Sequence, residues 1–131
     1  MQRETTTALR EELFEEATAI VRHEYGSDLA LDEIAGRIAS SRRQLQRAFS
    51  EIGKTTFRAY RTDVRMDRAA QLLIISEMTV REVAHSVGYR QPAQFAKAFR
   101  RRHGNAPSIY RALNAPNELA ASHSVPLARA A

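Results

Sequence analysis

Apolar residues recur at a helical period along most of the chain, and long stretches show no alternation of the kind a half-buried strand requires. Leu9, Leu13, Ala17, Ile20 and Val21 form one stripe, which predicts an amphipathic helix over residues 6–24, ending before Gly26. Leu31, Ile34, Ala35 and Ile38 predict a short helix with Asp32 and Glu33 in its first turn, where acids suit the helix dipole. Ser41-Arg42-Arg43-Gln44 fits a capping box, and the helix it opens buries Leu45, Ala48, Phe49 and Ile52 before Gly53 stops it. A long helix follows from about Thr56 to Ile75, with Phe57, Tyr60, Val64, Ala69, Leu72 and Leu73 on its apolar side. Thr79-Val80-Arg81-Glu82 is a second capping box, opening a helix that faces Val80, Val83, Ala84 and Val87 inward and ends at Gly88. Pro92 suits the first position of the next helix, whose buried face is Phe95, Ala98 and Phe99 and whose end is Gly104. Pro107 opens a last helix over Ser108 to Leu113. Beyond Asn114 the sequence turns to Ala, Ser and Pro without a period, which predicts a frayed tail over 115–131. The expected fold is all-α with about seven helices.

Composition narrows the chemistry. With 131 residues, 44% hydrophobic and 27% charged, the chain can bury the core of one domain, or at most two very small ones. It has no cysteine, which removes disulfides, thiol nucleophiles and thiolate zinc sites. No apolar run approaches a membrane span, and the start MQRETTTALREEL has no apolar signal region, so a cytoplasmic protein is expected. The net charge of +5 is unevenly spread. Residues 1–27 hold three arginines against six glutamates, whereas 28–111 hold sixteen Lys and Arg against eight acids. Such a basic body suits a polyanion partner, nucleic acid most often, although composition alone leaves an acidic membrane surface open as well. His23, His85, His103 and His123 show no metal-binding spacing, and no phosphate loop, nucleophile elbow or paired carboxylates appear. No enzyme, metal or cofactor is expected.

Two segments share one plan. Ala35 precedes Ala39 by four residues, and Leu45, Arg47 and Phe49 follow; Ala84 precedes Gly88 by four, and Phe95, Lys97 and Phe99 follow. The offset is 49 before the turn and 50 after it, so the second turn is one residue longer. A helix, a tight turn and a second helix make a helix-turn-helix unit, and two such units, over about 31–53 and 79–104, are joined by the long helix. The turn position favours positive φ, which Gly88 accepts and Ala39 tolerates at about 1 kcal/mol.

From Leu31 to Arg111 the chain resembles the DNA-binding domain of AraC/XylS-type bacterial transcription regulators. The likeness runs through Ser41, Leu45, Arg47 and Phe49, then Thr56-Phe57, Tyr60, Arg65, Ala69 and Leu72-Leu73. It continues through Val83-Ala84, Val87-Gly88-Tyr89, Phe95, Lys97, Phe99-Arg100, Gly104, Pro107 and Tyr110-Arg111. Several positions depart from the family pattern. Gly53 falls one residue before the usual glycine, whose place Lys54 takes; Ala39 replaces a turn glycine; Arg61 stands at a usually apolar position; and Ala30 and Ala106 replace capping hydroxyls. The division is then 1–27 as an N-terminal helix packed on the domain, 28–114 as the domain, and 115–131 as the tail.

On the helix after Ser41, the residues Arg43, Gln46, Arg47 and Ser50 lie opposite the apolar face, as a recognition helix in the major groove requires. Arg can grip guanine and Gln adenine bidentately. The resemblance implies that Arg43, Gln46 and Arg47 face bases; the plainer reading is a solvated polar face. A shift of fifty carries the four positions onto Ala93, Ala96, Lys97 and Arg100, so the second unit's base-facing set is Ala93, Ala96 and Lys97. Arg42, Ser50, Gln91 and Gln94 are further candidates for DNA contact. Ser41, Arg100, Arg101 and Arg102 are expected at phosphates. Arg65 is expected to form a structural ion pair, with Asp67 or another acid. Two unlike heads suit a monomer on an asymmetric double-stranded DNA site, with RNA polymerase as a further partner. With only about 30 residues ahead of the first unit, the chain reads as a small stand-alone regulator, or else as the C-terminal part of a larger one. The competing reading is an interaction protein that uses the fold to bind RNA polymerase or another regulator without reading bases.

Overall fold

The computed structural model describes residues 2–114; the expected tail over 115–131 lies outside the described residues. Seven helices follow one another with no strand among the described residues: α1 (Gln2–Glu24), α2 (Leu31–Arg37), α3 (Arg42–Glu51), α4 (Phe57–Ile75), α5 (Val80–Ser86), α6 (Pro92–His103) and α7 (Pro107–Asn114).

Local chemistry starts most of these helices. Thr56 Oγ1 accepts from the Ala59 amide at 3.0 Å and caps α4. Thr79 and Glu82 complete a reciprocal capping box on α5, at 3.0 Å and 2.8 Å. The box expected at α3 is only half made. Ser41 Oγ accepts from the Gln44 amide at 3.1 Å, but the Gln44 side chain accepts a bond from Ser40 instead of reaching back to the cap.

The core is in two parts that share α4. Leu13, Ala17 and Val21 of α1 pack with Leu31, Ile34, Ala35, Leu45, Ala48 and Phe49, and the first half of α4 closes that cluster with Phe57, Tyr60 and Val64. Met66, Ala69, Leu72 and Leu73, in the second half of α4, pack with Val83, Ala84, Val87, Phe95 and Phe99, and Tyr110 of α7 closes that one. Two positions on α1 differ from the expected stripe. Leu9 is 47% exposed, and Phe14 instead turns inward, edge-on to Phe49 at 5.3 Å and to Tyr60 at 6.2 Å. Gly53 serves this same contact. Helix α3 ends at Glu51 with Ile52 as its cap, and a Cβ at Gly53 would collide with the Phe14 ring. The left-handed residue there is Lys54, at φ 54°.

The duplication extends to single hydrogen bonds. The Ser40 amide donates to Ala35 O at 2.8 Å, and the Tyr89 amide, 49 residues on, donates to Ala84 O at 2.9 Å. Ala39 sits at φ 54° and its counterpart Gly88 at φ 99°. The left-handed region costs an L-residue about 1–2 kcal/mol, part of which is returned by the greater freedom glycine has when unfolded. Ala39→Gly is therefore expected to stabilise the chain by about 0.5–1 kcal/mol in denaturant titration; a loss of stability would show that the Ala39 methyl group contributes more by packing than it costs in backbone strain.

Arg65, in the middle of α4, departs from the expected ion pair. It is buried, at 7% exposure, and donates to backbone carbonyls, Nε to Tyr25 O at 2.5 Å and a terminal nitrogen to Ser27 O at 2.8 Å. Burial lowers its proton affinity, and the nearby Arg61 charge lowers it further. Arg111 acts in the same way near the end of α4, donating to Leu73 O at 2.8 Å and to Met78 O at 2.6 Å. These two arginines tie loop carbonyls to helices, which a purely apolar core of this size cannot do.

Candidate nucleic-acid interface

Helix α3 divides cleanly. Leu45, Ala48 and Phe49 are fully buried, while Arg42, Arg43, Gln46, Arg47 and Ser50 are all exposed. Arg43 and Arg47 form no ion pair among the described residues, so their guanidinium groups are held by no acid. Arg42 is different: Asp32 on α2 lies 3.2 Å from it. At the start of α3, Ser41 Oγ accepts from the Gln44 amide, which leaves its hydroxyl hydrogen free to donate outward.

Helix α6 buries Phe95 and Phe99 and exposes Ala93, Gln94, Lys97, Arg100, Arg101 and Arg102. Ala96 is half-buried, so this face is narrower than its counterpart on α3 as well as poorer in hydrogen-bonding groups. Gln91 occupies the N-cap in extended conformation without a side-chain cap bond, and its amide is free of that duty. The cationic run does not act as one group. Arg102 turns to α4, where Asp67 takes it bidentately at 2.9 Å and 3.1 Å and Asp63 lies 3.4 Å away. These carboxylates raise its proton affinity. His103 stacks on Phe99 at 4.7 Å and lies 3.3 Å from Asp67. Arg100 and Arg101 have no such partners among the described residues. Arg90, exposed in the turn before α6, is a further cation absent from the expected set. Its signal in the sequence is a basic residue two positions before the helix-starting Pro92.

The segment that leads into the first unit is held to the turn of the second. The loop at Tyr25–Ser27 meets the turn of the second unit so closely that a Cβ on Gly88 would lie 3.0 Å from Gly26 O. Arg65 fills the angle between them, bonded to the loop and lying over the Tyr89 ring at 5.8 Å. Among the described residues no group of side chains could hold a metal ion, and no helix is long and apolar enough to cross a membrane.

Comparisons with known proteins agree with this geometry. A family model for a helix-turn-helix domain matches residues 34–113, more than half of the chain. The Msm operon regulatory protein of Streptococcus mutans is 33% identical over 92 residues, covering 70% of this chain and 33% of the relative. The transcriptional activator NphR of Rhodococcus is 29% identical over 101 residues, covering 77% of this chain and 30% of that protein. The chain thus spans about a third of the length of these curated relatives. Among solved structures, an AraC-type transcriptional regulator from Chromobacterium violaceum superposes with a TM-score of 0.77 at 26% identity, over 84% of this chain and 99% of that one. The DNA-binding domain of AdpA, solved in complex with a target DNA, gives 0.70 at 27% identity, over 86% and 96%. The duplicated helix-turn-helix units, the shared α4 and the match across 34–113 lead to one conclusion: the chain belongs to the AraC/XylS-type helix-turn-helix family of transcription regulators.

Proposed function

We propose that this chain is a sequence-specific DNA-binding transcription regulator that sets α3 and α6 into successive major-groove segments. The observation that carries this reading is the division of α3, with its whole apolar side buried and Arg43, Gln46, Arg47 and Ser50 free on the other. The AdpA domain supports it, since a domain of this fold was solved on its target DNA. In this reading Arg43, Gln46 and Arg47 contact bases, Lys97 contacts a base or the adjacent backbone, and Ala93 and Ala96 offer only methyl contact. Arg42, Ser50, Gln91 and Gln94 stand close enough in sequence and exposure to add contacts. Ser41, Arg100 and Arg101 meet phosphates. Double-stranded DNA is the partner, and RNA polymerase at the same promoter is the further one.

Because the two reading faces differ, one chain suffices for one asymmetric site, its heads separated by about one turn, roughly 34 Å. Selection of bound sites from random DNA, followed by sedimentation of the complex, is the test. One protein per asymmetric site is expected. An obligate pair on a palindrome overturns the stoichiometry, and no preference over unrelated competitor DNA overturns base reading in favour of an interaction protein.

Salt dependence separates the two neighbouring arginines. Each neutralised phosphate contributes a slope of about 0.9 in log affinity against log salt. Arg101→Ala is expected to flatten the slope by up to about one unit and to weaken all sequences alike. Arg102→Ala is expected to leave the slope unchanged, because Asp63 and Asp67 already hold that charge. Equal flattening by both variants would show that DNA draws Arg102 away from its carboxylates.

A further inference from the structure

The two units match closely in backbone and differ in where their charges lie. Lys54 and Gly104, fifty residues apart, both take the left-handed conformation, at φ 54° and 88°, so the units correspond at their ends as well as at their turns. Asp32 is the second residue of α2, and Arg81, 49 residues further on, is the second of α5. An acid in the first unit is thus a cation in the second. In the first unit that acid is engaged. Asp32 lies 3.2 Å from Arg42, the first residue of α3, so the first turn of the leading helix stands beside the first turn of the reading helix. Arg37, the other cation of α2, is taken by Glu24 at 2.5 Å and by Glu33 at 3.0 Å. Every cation on this leading side therefore has an acid of its own, and Ser41 offers a hydroxyl there but no charge.

The same side of the second unit is built the other way. Arg81 is exposed and forms no ion pair among the described residues, and the same holds for Arg90 in the turn before α6. Glu82, next to Arg81, turns its carboxylate to the Thr79 amide at 2.8 Å. The trailing sides, by contrast, are alike in charge. Lys54 and Arg58 follow α3, Arg100 and Arg101 lie toward the end of α6, and all four are exposed without an ion pair among the described residues. Arg58 shares a cleft wall with Gln46 and Ser50, which places it beside the reading face of α3.

We propose that the second unit grips the DNA backbone by charge on both sides of its groove, with Arg81 and Arg90 as the leading-side contacts, whereas the first unit does so on its trailing side alone. This rests on the DNA-binding reading above and adds Arg81, Arg90 and Asp32 to it. In a helix-turn-helix unit the leading helix crosses the backbone while the reading helix enters the groove. A guanidinium placed there meets a phosphate with its charge and with paired N–H donors. Asp32 and Glu33 stand at the matching place in the first unit, where they repel phosphate, and Asp32 already answers the charge of Arg42. The first unit is then positioned by its base contacts. The second is positioned by the backbone whatever the bases are, which suits a reading face that presents Ala93 and Ala96.

The test measures affinity against salt for the full chain and three variants, on a duplex carrying a selected site and on an unrelated one. Arg81→Ala and Arg90→Ala are each expected to flatten the slope by up to about 0.9 and to weaken both duplexes alike, up to about eightfold at about 0.1 M salt. Asp32→Asn frees the charge of Arg42 and is expected to steepen the slope by a similar amount. All three side chains are exposed, so thermal midpoints close to the parent's are expected and check folding. Location is tested with uncharged methylphosphonate linkages in the selected duplex. Linkages beside the start of α6 are expected to weaken the parent but not the Arg81→Ala, Arg90→Ala double variant, and those beside the start of α3 to change affinity little. An unchanged slope in either arginine variant overturns the leading-side grip, and an unchanged slope in Asp32→Asn overturns the part given to Asp32. Equal losses from linkages under the two units overturn the asymmetry. A parent chain that binds neither duplex strikes the proposed function instead. One that binds both duplexes alike, with the expected slopes in the variants, supports the grip and strikes base reading alone.

Discussion

Replacing Gly88 with alanine is expected to destabilise the domain by about 3 kcal/mol and to lower its thermal midpoint by roughly 10–20 °C. Two causes add. Gly88 sits at φ 99°, where a side chain is strained. An added Cβ would also meet the Arg65 guanidinium carbon at 2.9 Å and Gly26 O at 3.0 Å. Neither neighbour can retreat easily. Gly26 O belongs to backbone, and Arg65 is anchored by its bonds to Tyr25 O and Ser27 O. The clash therefore pushes the loop between α1 and α2 away from the second unit's turn. Arg65→Met alone removes two charged, part-buried hydrogen bonds, to Tyr25 O and Ser27 O, and is expected to cost about 2–4 kcal/mol. Combined with Gly88→Ala it should cost less than the sum of the two, because the guanidinium part of the clash has gone. Strict additivity in denaturant titrations would show that backbone strain alone governs Gly88.

This junction marks the boundary of what the chain reveals when read linearly. The helices and the caps at Thr56 and Thr79 are local consequences of neighbouring residues. The positive φ at Ala39 is legible too, because the repeat offset of 49 aligns that alanine with Gly88 from residue order alone. Arg65 is another matter. Its partners are carbonyls forty and thirty-eight residues away, and backbone oxygens leave no trace in residue identity. The same holds for Gly53, whose small size reads as a helix stop but serves the approach of the Phe14 ring from α1. Phe14 lies at the edge of its helix's apolar stripe, three residues before Ala17 and seven before Val21, and the aromatic neighbours Phe49 and Tyr60 receive its ring. At the interface, the face of α3 follows from helical period alone. The separation of Arg102 from Arg100 and Arg101 does not, since it depends on Asp63 and Asp67 of α4 lying beside the end of α6.

The two units are expected to contribute unequally to specificity, and the contrast between Arg47→Ala and Lys97→Ala measures it. On α3, Arg43, Gln46 and Arg47 are exposed and unpaired by any acid among the described residues, ready for bidentate contact. At the matching positions α6 offers Lys97 between an exposed Ala93 and a half-buried Ala96. A bidentate base contact discriminates by about 1–3 kcal/mol, roughly 5- to 150-fold, whereas a methyl contact gives less and a lysine is a point charge. Arg47→Ala should therefore relax base preference within its own half-site by at least about 1 kcal/mol. Lys97→Ala should lower affinity for selected and unrelated sequences nearly alike. Both side chains are exposed at the surface of their helices, so neither substitution is expected to alter folding, and unfolding midpoints of the variants check that. Site selection from random DNA with the parent and both variants supplies the comparison. A half-site under α6 that emerges sharper than the one under α3 reverses the ranking. Readout there would then come from Gln91, Gln94, Arg90 or the deformability of the DNA itself, acting where the alanines cannot.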